Sequence, residues 1–276
     1  MGSSRNPYVI KGGPRLRPSV VAFVDILGYT DLVKKIFAGG GADALLKELH
    51  RALRESRKQV DPKHDDVSRR FSKKDFSAFR AFTDNVVIGH PIYDDGESEL
   101  GSMFSDLAFF QMILAMNGFF VRGAISVGEF YMDDIAVFGP ALIEAYEAEQ
   151  RLARDPRIVL TASAKEAVEG HLKYYGRKKH APQVRDLLKD SDGQYFLNYL
   201  DTIVPEEGYF YEQELKRHKA AIERKLVEHQ ANPPIWSKYI WVAEYHNYYC
   251  ENCPEDCTHL KIDLEKYKMR PRSIVD

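Results

Sequence analysis

Residues 18–26 read PSVVAFVDI, an almost unbroken apolar run rich in β-branched side chains, interrupted near its end by one carboxylate, Asp25. A continuous run of this kind reads as a strand covered on both faces. The turn-like Leu27-Gly28-Tyr29-Thr30 follows at once. Burying an unpaired charge is costly, so such an acid needs a cation or a metal unless it merely caps the next helix. On this segment alone both readings stand.

The rest of the chain supplies the surroundings of that strand. Helical patterns run over 29–38 and 43–59, split by Gly39-Gly40-Gly41, and 60–75 form a charged connector. FSAFRAFTDNVVIGHPI reads as two strands joined tightly at Thr83-Asp84-Asn85. An apolar helix over 98–117 ends at Asn117-Gly118, and FFVRGAISVGEFYM follows as a long strand. Residues 139–153 form a helix with Pro140 in its first turn, PRIVLTAS a short strand, and SAKEAVEGHL a helix with Ser163 as N-cap. This order predicts an α+β fold with a mixed sheet and helices on its faces. Beyond Tyr195 the register changes: 211–230 is a charged amphipathic helix, and SKYIWVAEYHN is a late strand or helix start. Three segments are expected: a flexible arm at 1–17, a main folded domain at 18–185 and an extension at 186–276.

Bulk properties exclude several classes. Of 276 residues 44% are hydrophobic and 29% charged, and the net charge of −2 leaves no basic footprint for a nucleic acid. No signal-peptide pattern and no membrane-crossing run is read in the sequence. The three cysteines all lie within 250–257, which argues against a disulfide framework and for a cytoplasmic location. Their C-x2-C-x3-C spacing, with His246 and His259 nearby, matches a structural zinc site made by Cys250, Cys253, Cys257 and His259, or else simply reduced thiols.

Asp25 ends the first strand and Asp84 sits in the turn of the later hairpin. Two carboxylates on neighbouring strand ends can hold one hard cation, Mn2+ or Mg2+, with the carbonyl of Ile26 as a third ligand. Backbone N–H groups at Gly28, Tyr29 and Thr30, at a helix start, can cradle phosphates or simply open the helix.

Four segments together resemble the class III nucleotidyl cyclases. FVDILGYTDL resembles their first metal motif, F-x-D-I-x-G-[FY]-T-x-L, and FRAFTDNVVIGHP the second, with Asp84 at its metal aspartate. FFVRGAISVGEF is similar to the family's R-x-G-I-x-x-G strand, and VFGPALIEAYEAEQRL falls where the family has its dimer-arm helix. The resemblance spans roughly residues 18–165. It implies a ferredoxin-like α/β plait and a homodimer with active sites at the interface. Each protomer would give metal acids to one site and base contacts to the other, and Arg122 would contact polyphosphate.

Departures from the family pattern bear on the base. Arg80 replaces the usual purine-reading lysine, and Ala136 the usual acid, with Asp133 and Asp134 nearby. Ile143 and Glu147 replace the Asn and Arg of the arm helix. This combination is similar to the pyrimidine cyclases of bacterial Pycsar anti-phage systems, which signal to a separate effector through a cyclic nucleotide. It implies a uridylate cyclase making 3′,5′-cyclic UMP from UTP, since guanidinium donates to the acceptors of uracil and never accepts. A cytidylate cyclase and a silent, nucleotide-binding module of the same fold are the alternatives. Arg80 could equally be a surface strand residue paired with an acid.

Overall fold

Residues 5–39, 41–60, 75–82, 84–178, 181–203, 212–253 and 255–267 are described by the structure, a computed structural model. The apolar run forms β1 (Arg17–Ile26), followed by α1 (Tyr29–Gly39) and α2 (Ala42–Val60). The hairpin strands are β2 (Ala78–Phe82) and β3 (Asn85–Pro91). Next come α3 (Glu97–Met116), β4 (Val121–Met132), β5 (Val137–Phe138), α4 (Pro140–Arg151), β6 (Ile158–Leu160) and α5 (Ala162–His171). The short α6 (Pro182–Asp186) leads into β7 (Leu187–Lys189) and β8 (Tyr195–Leu197).

These strands make one sheet in the order β2-β3-β1-β4-β6-β8-β7, with β5 paired to β4. Every described pair is antiparallel except β4–β6. The fold is therefore α+β, a mostly antiparallel mixed sheet with flanking helices, as the order of patterns predicts. The sheet continues past residue 185 through β7 and β8.

Because side chains alternate along a strand, β1 serves two cores. Val20, Ala22, Val24 and Ile26 pack with Leu49 and Ala52 of α2, Phe104, Leu107 and Phe110 of α3, and Val168 of α5. Val21 and Phe23 pack instead with Phe130 of β4 and Ala141 and Ala145 of α4. Each fully buried Val, Ile or Phe contributes about 1.5–3 kcal/mol, so this doubly covered strand anchors the sheet. Asp25 has the parity of Val21 and Phe23, which directs it toward α4.

Start and stop signals act largely as read. Asn117 caps α3, and Pro140 opens α4 after Gly139, whose φ of +139° admits no side chain; a Cβ would lie 2.3 Å from the Glu129 carbonyl oxygen. The cap of α5 is Thr161, whose hydroxyl accepts from the Ala164 N–H at 3.4 Å, not Ser163. Ser163 is drawn away because its hydroxyl donates to Glu144 of α4 at 2.6 Å.

The segment expected as a flexible arm is tied down where it is described. Val9–Ile10 and Gly13–Pro14 pair as a short hairpin, and Tyr8 is fully buried, edge-on to Phe130 and donating to Ser19 at 3.0 Å. A polar, Gly/Pro-punctuated composition does not reveal one aromatic anchor. The connector at 61–74 lies outside the described residues.

The chain divides into two compact units, Met1–Thr202 and Ile203–Asp276. In the second, α7 (Glu212–Glu228) packs on α8 (Pro233–Asn252), so SKYIWVAEYHN is helical. His218 and His246 meet there with Nδ1 atoms 3.0 Å apart, and His246 Nε2 lies 3.1 Å from the Leu260 carbonyl oxygen. Burial depresses both imidazoles, His246 to about 4.

Candidate active site

Sheet register sets what Asp25 meets. Asn85 of β3 stands opposite it on one side and Arg122 of β4 on the other. The Ile26 N–H donates to the Asp84 carbonyl at 3.0 Å, which ties the β2–β3 turn to the end of β1. Asn85 Nδ2 in turn donates to Asp84 Oδ1 at 3.1 Å. The sheet thus brings the two predicted acids to one place, close enough for their carboxyls to interact directly.

Burial raises the Asp25 pKa; the Arg122 guanidinium opposes that rise, and the neighbouring Asp84 adds to it. Arg122 Nε lies 3.2 Å from Asp25 Oδ2 and 2.8 Å from Glu149 Oε1. Glu149 is fully buried beneath the site, on the face of α4 that also carries Ala141 and Ala145. The geometry gives Arg122 the task of orienting Asp25, in addition to any contact with substrate.

Above these groups opens a cleft of about 600 Å³. One wall is the turn after β1, where Gly28 takes a φ of +74° that suits glycine, with Tyr29, Thr30 and Asp31 at the start of α1. The first N–H groups of a helix have no intrahelical acceptor, so this wall presents partial positive charge. The opposite wall comprises Phe82, Tyr146 and Gln150, with Tyr146 edge-on to Phe23 at 5.4 Å. Asp25, Ile26, Gly28, Tyr29, Thr30, Asp84 and Arg122, all singled out from sequence, line this one cleft.

Two carboxylates, Asp25 and Glu149, share the Arg122 guanidinium, and a third, Asp84, adjoins Asp25. That surplus of negative charge, partly buried and partly opened to the cleft, fits an added divalent cation held by oxygen ligands. Only Asp25 and Asp84 would face such an ion. Among the described residues no group of three or more His, Cys, Asp or Glu is placed to hold a metal.

Arg80 does not line the cleft. Its Nη2 donates to the carbonyl of Asp133 in the β4–β5 turn. Asp133 is itself committed there: its carboxylate accepts from Tyr131 Oη at 2.5 Å, Ile135 N at 2.8 Å and Ala136 N at 2.7 Å. The Tyr131 hydroxyl, helped by these amides, holds its pKa below the ordinary carboxylate range. On α4, Ile143 is 60% exposed and Glu147 lies 3.5 Å from Arg151. With Ile135 and Phe138 also exposed, residues 135–146 carry an uncovered apolar stretch.

Of the expected zinc set, Cys250 and Cys253 lie near Cys257, but among the described residues no group of three or more His, Cys, Asp or Glu is placed to hold a metal. His259 Nε2 lies 3.2 Å from Glu212 Oε1, drawn to an exposed carboxylate instead of the thiols. Cys250 Sγ approaches His246 Nε2 at 3.5 Å.

Sequence reading missed Glu149, Tyr146, Gln150 and Asn85. For Glu149 a signal was present: it stands on the stripe Ala141, Ala145, Ala148 of an amphipathic helix, where a carboxylate requires a partner.

No protein-family model matches the sequence, and no curated protein does. Among solved structures, the chain is similar to a class III adenylyl cyclase-like ATP-binding protein from Pseudomonas aeruginosa, at 14% identity and a TM-score of 0.42, covering 60% of this chain and 39% of that one. It is also similar to the guanylyl cyclase Cya2, at 13% identity and a TM-score of 0.40, covering 55% of this chain and 78% of that one. Among the described residues no helix is long and apolar enough to cross a membrane.

Proposed function

We propose that this chain is a metal-dependent nucleotidyl cyclase that forms cyclic UMP and pyrophosphate from UTP, with CTP as the rival substrate. The observation that carries this reading is the meeting of Asp25 and Asp84 at the mouth of one cleft, opposite a helix start and beside Arg122. Asp25, Asp84 and the Ile26 carbonyl would hold Mn2+ or Mg2+. Such an ion, when bound, favours ionisation of the ribose 3′-hydroxyl and offsets charge on the triphosphate. The chain's own part is positional. Backbone N–H groups of Tyr29 and Thr30 face the phosphates, Arg122 fixes the Asp25 carboxylate, and the cleft holds the 3′-oxygen in line with the α-phosphate.

The base contact belongs, in this reading, to a second copy of the chain. Arg80 reaches the 133–136 turn, not its own cleft, as a site shared across a homodimer requires. The uncovered apolar residues Ile135, Phe138 and Ile143 give that dimer a surface. Arg80 keeps further N–H donors for the carbonyl oxygens of uracil. The role in anti-phage defence, with the cyclic nucleotide acting on a separate effector, rests on the sequence resemblance alone.

One observation favours a second reading, a silent nucleotide-binding module: Ile143 and Glu147 stand where transition-state contacts are expected, and Glu147 pairs with Arg151. Incubation with each of the four labelled triphosphates and Mn2+, followed by chromatographic resolution, separates the readings. Cyclic UMP as main product supports the proposal. Cyclic CMP redirects it to cytidine, cyclic AMP or GMP alone removes the pyrimidine reading, and no cyclic product leaves the silent module.

A further inference from the structure

We propose that the far edge of the sheet carries a second ligand pocket, for a small aromatic organic anion that bears an N–H or O–H donor. A cavity of about 350 Å³ opens between α5, α6 and strands β7 and β8, sharing no lining residue with the Asp25–Asp84 cleft. Its size suits a small organic molecule and exceeds what a bare inorganic anion would fill.

Three features of its lining define the occupant. The floor is apolar, built from Leu160, Val168, Leu172 and Leu187. Lys165, Lys178 and Lys189 ring it, against Glu169 as the sole lining carboxylate among the described residues, in a chain whose overall charge is −2. None of these lysines forms an ion pair with a described residue. Lys165 and Lys189 instead set their ammonium groups 4.9 and 6.0 Å from the Tyr195 ring centroid. A neutral apolar ligand would leave three cations unneutralised, and a purely ionic one would leave the floor wet.

The third feature is Gln183, which lines the cavity and is only 3% exposed. Its Nε2 donates to Glu97 Oε1 at 3.0 Å, which fixes the amide orientation because a carboxylate only accepts. Its Oε1 has no hydrogen-bond partner. A buried acceptor left in that state is destabilising, and a donor on the ligand removes the penalty. Apolar floor, cationic rim and one waiting acceptor together select an aromatic anion with a donor group.

The probe is 8-anilinonaphthalene-1-sulfonate, which has an aromatic body, one sulfonate and one N–H. It is titrated into the full chain with EDTA present and no nucleotide, so that the outcome is independent of cyclase activity. Saturable one-site fluorescence is expected, with Lys165 and Lys189 protected from acetylation when the probe is bound. Lys178→Ala/Lys189→Ala, at two exposed positions, should weaken binding about tenfold without shifting the melting temperature. Gln183→Leu should weaken it as well, whereas Asp84→Asn should not. Equal affinity in the lysine double variant, or no protection of Lys165 and Lys189 in the unaltered chain, would overturn the proposal.

Discussion

Replacing Arg122 with Met keeps most of the side-chain volume and removes the one guanidinium that joins Asp25 to Glu149. The Asp25 and Arg122 side chains are 17% and 21% exposed, and Glu149 is 0% exposed. Removing one partner of a buried ion pair costs about 3–5 kcal/mol, because the other charge stays buried and uncompensated. Here one carboxylate is fully buried, so the substitution belongs in that range; for a unit of this size it lowers Tm by roughly 6–20 °C. The pH dependence has a definite sign. Asp25 already has a raised folded pKa, so its ionised form disfavours folding above that pKa. Without Arg122 the pKa rises further, and the deficit relative to the unaltered chain is full at neutral pH and shrinks as pH falls toward the carboxylate range. Urea unfolding at pH 7.5 and pH 5 measures both values. Arg122→Met/Glu149→Gln should recover about 1–3 kcal/mol, since the amide removes the stranded charge. A deficit under about 1 kcal/mol at pH 7.5, a deficit independent of pH, or strict additivity of the two substitutions would refute the coupling inferred here.

Three further outcomes follow from the same geometry. Metal-free Asp84→Asn should melt no lower than the unaltered chain, because it relieves a repulsion that adds to the rise burial imposes on the Asp25 pKa, while Mn2+ should raise the melting temperature of the unaltered chain only. In the 203–276 unit, burial depresses His218 and His246, so stability present above about pH 6.5 is lost as pH falls toward 4; hydrogen exchange of amides in α7 and α8 should accelerate over that window and not between pH 7 and 8. Mixing Asp84→Asn with Arg80→Ala should restore about one quarter of full activity, since half the dimers would be mixed and each would hold one intact site; no recovery on mixing would place Arg80 outside the partner's cleft.

Much of the fold is legible in local pattern. The doubly apolar β1, the hairpin at Asp84, Pro140 opening α4 and Asn117-Gly118 closing α3 are decided by neighbours in sequence. What escapes depends on distant contacts. Tyr8 is buried because Phe130 and Tyr131, more than a hundred residues away in sequence, meet its ring. Ser163 forgoes capping because Glu144 of another helix competes for its hydroxyl. SKYIWVAEYHN carries apolar residues too densely for its period to choose between strand and helix. The site divides the same way. Asp25, Gly28 and Asp84 belong to short contiguous motifs and could be read directly. The Arg122–Glu149 pair and the Arg80–Asp133 contact link residues 27 and 53 positions apart. No local pattern announces them.

The central claim is that Asp25 and Asp84 form one divalent-cation site, and direct Mn2+ binding tests it without relying on any substrate. Electron paramagnetic resonance of free Mn2+, titrated with the unaltered chain, Asp25→Asn and Asp84→Asn with no nucleotide present, gives the answer. Saturable binding to the unaltered chain, lost in both variants whose melting shows them folded, is the predicted result. Undiminished Mn2+ binding in either variant would contradict it.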